Sequence, residues 1–275
     1  MASNSTSYIL GFSAAVCLAC SVFVAGSAVI LKDRQELNEL VAKRTQVLEV
    51  AGLVQPEEKG KLSADVVADR FEAVVPILVS LETGDVLPKA EGKENAFTFE
   101  GQTLDAGTYD QKAASKDDSL GKEAPANDAK VLRLPKVGLV YQVMENGKLT
   151  KLILPVEGYG LWGTLYGFLA LEPDTQTIAG LTFYAHKETP GLGGEVDNPA
   201  WKALWKGRKA FDDEWEPTIE VIKGPAGPAD QAPYSVDGLS GATLTSRGVT
   251  NLLRFWLGDD GYGPYLSKFR EKGAA

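Results

Sequence analysis

Leu139-Val140-Tyr141-Gln142-Val143-Met144 leads through Asn146-Gly147 into a second apolar run over 149–154, and this stretch decides the fold. Two β-prone runs around Asn-Gly have the form of a hairpin, because both turn residues tolerate the left-handed backbone that a tight turn between twisted strands requires. Downstream, runs over 164–171 and 177–184 flank the turn-forming Glu172-Pro173-Asp174 and give a second antiparallel pair. Upstream, a helix is expected from its N-cap Ser63 to about Val74, closed by Pro76, with a first strand beginning at Ile77. A short helix near 200–205, a strand over 218–222 and a last helix over 246–257, stopped by Gly258-Asp259-Asp260-Gly261, complete the pattern. The expected class is α+β: a single N-terminal transmembrane helix, then a soluble domain with a mainly antiparallel sheet flanked by helices.

Residues 8–31 hold no charged side chain over 24 positions; at about 1.5 Å per residue such a helix is about 36 Å long. That crosses a hydrocarbon core of about 30 Å with some tilt. A cleaved signal peptide would have a shorter apolar region preceded by Lys or Arg, and neither precedes this one. The expected organisation is a leader over 1–7, a transmembrane helix over 8–31, an amphipathic helix and connector over 32–60, and a domain over 61–275 with a polar insertion at about 88–129. In the connector, Leu37, Leu40, Val41, Val47, Leu48 and Ala51 recur at helical spacing. The insertion reads as a surface excursion. Lys32, Arg34, Lys43 and Arg44 behind the helix favour a cytoplasmic domain by the positive-inside rule, yet long domains are exported regardless of flanking charge.

The formal net charge of -9 argues against nucleic acid as a partner, since such binding relies on Lys and Arg displacing counterions. Both cysteines, Cys17 and Cys20, lie in the apolar segment, where they suit helix packing, so the domain has no thiol for a disulfide or an iron–sulfur cluster. A single histidine, His186, makes a His/Cys zinc site untenable. The G-x-G-x-x-G spacing of Gly158, Gly160 and Gly163 lies between two strand-like runs and opens no helix, so it is not a dinucleotide fingerprint. The domain must therefore do its chemistry without a thiol cluster, zinc or a Rossmann site.

Asp237-Gly238-Leu239-Ser240-Gly241-Ala242-Thr243-Leu244-Thr245 stands just before a helix. Helix N-termini offer unpaired amides and a positive dipole end, so a phosphate near Thr243 would be stabilised there. Ser240, Thr243, Thr245 and Ser246 also suit plain turn and cap duties. A second segment, His186-Lys187-Glu188-Thr189-Pro190-Gly191-Leu192-Gly193-Gly194, has a glycine density suited to close packing against a planar ring. A third, Gly158-Tyr159-Gly160-Leu161-Trp162-Gly163, sets large side chains among glycines, either as core or lying against such a ring. His186 reads as structural.

The first of these strings resembles the D-x-x-S-G-A-T flavinylation signal of the FMN-binding domain family, matched at Asp237, Ser240, Gly241, Ala242 and Thr243. The resemblance implies FMN joined through its phosphate to Thr243 rather than Thr245. It also implies a separate flavin transferase that recognises the motif at Asp237 and supplies Mg2+ and FAD. The 186–194 segment is similar to the family's H-x-E-T-P-G-L-G loop. Cofactor contacts are expected from Ser240, Gly241, Ala242, Leu244, Glu188, Thr189, Leu192, Gly193, Leu161 and Trp162. Glu188 and Thr189 would hydrogen-bond the ribityl hydroxyls or ring edge, and Leu192 would give the isoalloxazine an apolar contact.

Blocks from Val29 to Gly52, Gly160 to Asp174, Gly180 to Trp205 and Arg254 to Tyr265 resemble the C subunits of sodium-translocating NADH:quinone oxidoreductases. That likeness implies a single-pass protein of the bacterial inner membrane with a periplasmic flavin domain. It further implies the B, D and E subunits as partners, and electron relay from an iron–sulfur centre in the membrane subunits to the covalent FMN of the B subunit. The flavin subunit of Rnf-type ferredoxin:NAD oxidoreductases shares the anchor and both motifs, and the Gly261-Tyr262-Gly263-Pro264-Tyr265 tail favours the C subunits. A non-redox membrane assembly subunit is the remaining alternative.

Overall fold

The computed structural model describes residues 6–58 and 60–273, without the side chains of Asp33, Glu36 and Pro56; most of the expected leader over 1–7 lies outside the described residues. In chain order its elements are α1 (Thr6–Ala51), α2 (Ala64–Phe71), β1 (Val74–Ser80), β2 (Ala96–Phe99), β3 (Gln102–Asp105), α3 (Gln111–Ala114), β4 (Gly121–Glu123), β5 (Arg133–Pro135) and β6 (Val137–Glu145). There follow β7 (Lys148–Tyr159), β8 (Thr164–Leu171), β9 (Ile178–Ala185), α4 (Pro199–Ala203), β10 (Glu220–Val221), β11 (Ser235–Val236), α5 (Thr243–Leu257) and α6 (Gly263–Glu271). The chain divides between Lys43 and Arg44 into two compact units.

In the first unit, α1 is unbroken, and Thr6–Lys32 is long and apolar enough to cross a membrane. No proline interrupts it.

In the second unit, five strands pair antiparallel in the order β1-β6-β7-β8-β9. The hairpin expected at Asn146-Gly147 forms, with φ of +52° and +75° at the two turn residues. On one face, Leu152, Leu154 and Val156 of β7 with Leu165, Leu169 and Leu171 of β8 join Val249, Leu252, Leu253 and Trp256 of α5 in the main core. Helix and strand meet closely: a Cβ at Gly158 would stand 2.4 Å from Leu252 Cβ, and Trp256 Nε1 donates to Glu157 O at 2.7 Å. Burying about ten such side chains, each contributing roughly 1.5–3 kcal/mol, makes α5 a fixed platform. On the other face, the end of α1 buries Val47, Leu48 and Val50, and Thr182 Oγ1 donates to Gln46 Oε1.

Three sequence expectations need correction here. The helix from Ser63 stops at Phe71, and Pro76 lies inside strand β1 rather than closing a helix. Ser80, in phase with Pro76, points its N–H away from β6 to Asp85 O, so the donor missing at Pro76 breaks no ladder rung on this edge strand. The segment 88–129 is also more than a surface excursion. Phe97, Ala106 and Ala129 join the main core, Tyr109 Oη donates to Val137 O, and Leu139 N donates to Gln111 Oε1. Finally, α5 is not the last helix. Gly263-Pro264 opens α6, with Pro in the first turn where no intrahelical donor is needed, and Tyr262 is buried against Trp256 with ring centroids 5.6 Å apart.

Candidate functional site

Three segments meet at the end of the sheet where β7 turns into β8. The turn between them, 160–163, is closed by Gly160 N–H donating to Gly163 O. The 186–194 loop leaves β9, and α5 begins at Thr243.

Glu188 clasps all three. The residue is only 5% exposed; Oε1 accepts the amides of Leu161 and Trp162 at 3.0 and 2.9 Å, and Oε2 accepts the Thr245 hydroxyl. Three donors on one buried carboxylate compensate its desolvation. Gly193 makes room for this: a Cβ there would sit 2.5 Å from both Glu188 Oε2 and Thr245 Oγ1. The expectation that Glu188 hydrogen-bonds a bound ring or ribityl chain is therefore corrected, because its carboxylate is committed inside the protein. His186 is structural in the same sense. Its Nδ1 accepts Glu188 N–H at 3.1 Å, and its Nε2, which then carries the proton, lies 2.8 Å from Asp197 Oδ2.

Thr243 is treated differently by the fold. Helix α5 starts three residues earlier than the sequence pattern suggested, so Thr243 is its first residue and is exposed. The N-cap position falls on Ala242, which has no side-chain acceptor to offer the opening amides. Ser246, buried, uses its hydroxyl to accept Leu239 N–H at 3.1 Å. Of the four hydroxyls in question, Thr245 and Ser246 thus hold the local structure. Ser240 and Thr243 stay exposed with no hydrogen bond among the described residues. Gly241, at φ +69°, makes the bend that brings this turn against Leu192, whose Cδ2 lies 2.9 Å from where a Cβ would be.

Around this turn the large apolar side chains face out: Leu161, Trp162, Leu192 and Leu244 are 38%, 63%, 45% and 52% exposed. Thr189 is exposed too, and its carbonyl accepts the amides of Leu192 and Gly194. A cleft of about 560 Å³ is lined by Lys223, Gly224, Ser240, Gly241, Thr243 and Arg247 among others. The donor set suits a mononucleotide with a planar ring: an uncapped helix start and a free hydroxyl for a phosphate, and apolar side chains for an aromatic face. Asp237, by contrast, turns inward, with Oδ1 accepting Ala226 N–H at 2.8 Å and its carbonyl accepting Trp201 Nε1 at 2.9 Å.

The three segments singled out in the sequence meet in space, but the framework roles of Asp197, Trp201 and Ala226, and the bond of Thr245 to Glu188, have no counterpart in the sequence pattern. Their roles depend on contacts 11 to 57 positions away along the chain, for which no local pattern exists.

Comparison with known proteins agrees with this geometry. The FMN-binding domain family matches residues 160–258, which span all three segments. The chain is 46% identical over 271 residues to the C subunit of the Na(+)-translocating NADH-quinone reductase of Pseudomonas aeruginosa, covering 98% of this chain and 97% of that one. It is 42% identical to the corresponding C subunit of Vibrio campbellii over 277 residues, with 99% of each covered. The crystal structure of Shewanella oneidensis NqrC superposes with a TM-score of 0.71 at 30% identity, over 86% of this chain and 99% of that one. Near-full-length identity of this order, together with the shared fold, places the chain in the family of C subunits of Na(+)-translocating NADH-quinone reductases.

Proposed function

We propose that this chain is the electron-carrying flavin subunit of a sodium-translocating NADH:quinone reductase, with FMN attached by a phosphoester to Thr243. The observation that carries the reading is the exposed, unbonded Thr243 hydroxyl at the first turn of a helix whose N-cap is alanine. Anything negative attached there meets the α5 dipole and its unpaired amides. FMN, once attached, supplies the reversible electron transfer; the protein binds, orients and partly shields it.

The side chains divide that work. Leu161, Trp162, Leu192 and Leu244 offer the ring an apolar bed that excludes water, and Thr189 offers a hydroxyl at its margin. Glu188 holds the bed in place from behind, through the Leu161 and Trp162 amides. Attachment is the work of a flavin transferase. The Thr243 Oγ1–P bond forms as the pyrophosphate P–O bond of FAD breaks, AMP leaves, and the hydroxyl proton passes to a base of the transferase.

The remaining organisation follows the same reading. Residues 8–31 span the bacterial inner membrane once, 32–60 connect, and 61–275 form the flavin domain on the periplasmic side. The B, D and E subunits of the complex are its partners. The acidic chain, with its net charge of -9, is not a nucleic-acid binder.

Intact mass spectrometry of protein co-expressed with the transferase tests the core of this. Wild type is expected to carry one FMN adduct and Thr243→Ala none. An adduct retained by Thr243→Ala overturns the assigned link, and a wild type without any adduct favours a non-redox role. A cytoplasm-only reporter active after Ala275 would overturn the periplasmic topology.

A further inference from the structure

We infer that Asp237 is a positioning residue, which acts by pinning the wall beside Thr243 rather than by showing its charge to the flavin transferase. The inference rests on the Thr243 assignment and says how the attachment motif works.

The turn over 222–228 is stitched to 236–238 by three bonds. Ile222 N–H donates to Val236 O at 2.9 Å, Gly238 N–H to Gly224 O at 2.9 Å, and Ala226 N–H to Asp237 Oδ1 at 2.8 Å. The last is the one bond of the three made by a side chain. The seam is tight, for a Cβ at Gly238 would lie 2.2 Å from Ile222 O. Trp201 Nε1 donates to the Asp237 carbonyl at 2.9 Å. Buried Arg208 holds the far part of the same turn by donating to Gly227 O, and the chain beyond it by donating to Ala232 O, at 2.6 Å each.

Lys223 and Gly224 of this turn line the cleft that Ser240, Gly241 and Thr243 line from the other side. From Asp237 the chain reaches Thr243 in six residues, and it is anchored again where Leu239 N–H meets Ser246 Oγ and Ala242 N–H meets Leu239 O. Asp237 therefore ties together the two ends of the opening through which Thr243 must be reached. Its place in the motif is explained by an acceptor oxygen at that point; the charge is incidental. An Asx side chain of this length bonding a neighbouring turn is a common loop-fixing device.

Asn and Ala separate the two roles. Asp237→Asn keeps the acceptor oxygen and removes the charge, whereas Asp237→Ala removes both. With purified transferase, FAD and Mg2+, initial rates of adduct formation are expected within about twofold of wild type for Asp237→Asn and about tenfold slower for Asp237→Ala, as loss of one ordinary hydrogen bond suggests. Amide exchange at Ala226 should quicken in Asp237→Ala and not in Asp237→Asn. A residue merely read by the transferase would not move that amide.

Ala226→Pro removes the donor while leaving Asp237 untouched, and it should slow attachment as Asp237→Ala does; this variant keeps the test sound should Asp237→Ala fold poorly. The inference is overturned if Asp237→Asn is as slow as Asp237→Ala while Ala226 stays protected, or if Ala226→Pro is flavinylated at the wild-type rate. Absence of the adduct from wild type would instead overturn the Thr243 assignment.

Discussion

Thr243, which ends the attachment motif, and Thr245 stand two residues apart, and the fold gives them opposite fates. Thr245 is fully buried and donates to Glu188; Thr243 is exposed and its hydroxyl makes no hydrogen bond among the described residues. The first turn of a helix rotates each successive residue by about 100°. Neighbouring hydroxyls therefore face different surroundings, one turned to the clasp and the other to solvent. Within one short stretch, Thr245 helps to build the platform and Thr243 is left at its surface.

The sharpest break of that contrast is Glu188→Ala. It strands the Leu161 and Trp162 amides and the Thr245 hydroxyl, so stability should fall by about 3 kcal/mol, read as a lower denaturant midpoint at unchanged slope. A loss below about 1 kcal/mol would mean that water replaces the carboxylate and that the clasp is not a framework element.

A second carboxylate sharpens the comparison. Glu157 has no donor among the described residues, and burial pushes its carboxyl up to about 7, with the nearby Lys112 and Lys116 opposing. Its folded-state value lies above its unfolded one, so the stability it contributes is complete below pH 4.5 and is lost as pH rises through about 7. Stability should therefore fall by about 1–2 kcal/mol between pH 5 and pH 8 on this account. Glu157→Gln should remove most of that dependence in urea melts at the two pH values; an unchanged pH profile would show that Glu157 is not its source.

Thr245→Val follows, costing about 1 kcal/mol by leaving one carboxylate oxygen without its donor, while the FMN adduct at Thr243 still forms. The smallest effect on stability belongs to Thr243→Val, expected within about 0.5 kcal/mol of wild type because an exposed, unbonded hydroxyl is removed, although the adduct is lost completely. Reversal of these two results would exchange the roles assigned to the two threonines.

Much of this was legible along the chain. The Asn146-Gly147 hairpin and the Glu172-Pro173-Asp174 turn form where expected because their determinants lie within a few residues. The apolar run over 8–31 likewise falls inside one unbroken helix. Pro76 misled, because the same residue can stop a helix or sit on a strand edge, and only the partner strand distinguishes them. The polar segment 88–129 misled for the same reason: Phe97 looks isolated in sequence, yet it reaches a core assembled from distant strands.

At the candidate site, the sequence alone singled out Thr243 and its neighbours as candidates, through their likeness to the flavinylation motif rather than through residue type or spacing. Tertiary structure decided which of their neighbours are free to touch a cofactor. The sequence offers Glu188 as a cofactor ligand and Asp237 as a mark for the transferase, but both carboxylates are drawn inward to donors 11 to 57 positions away along the chain. Hydrogen-bond satisfaction is a property of three-dimensional neighbours, and no window of sequence contains it.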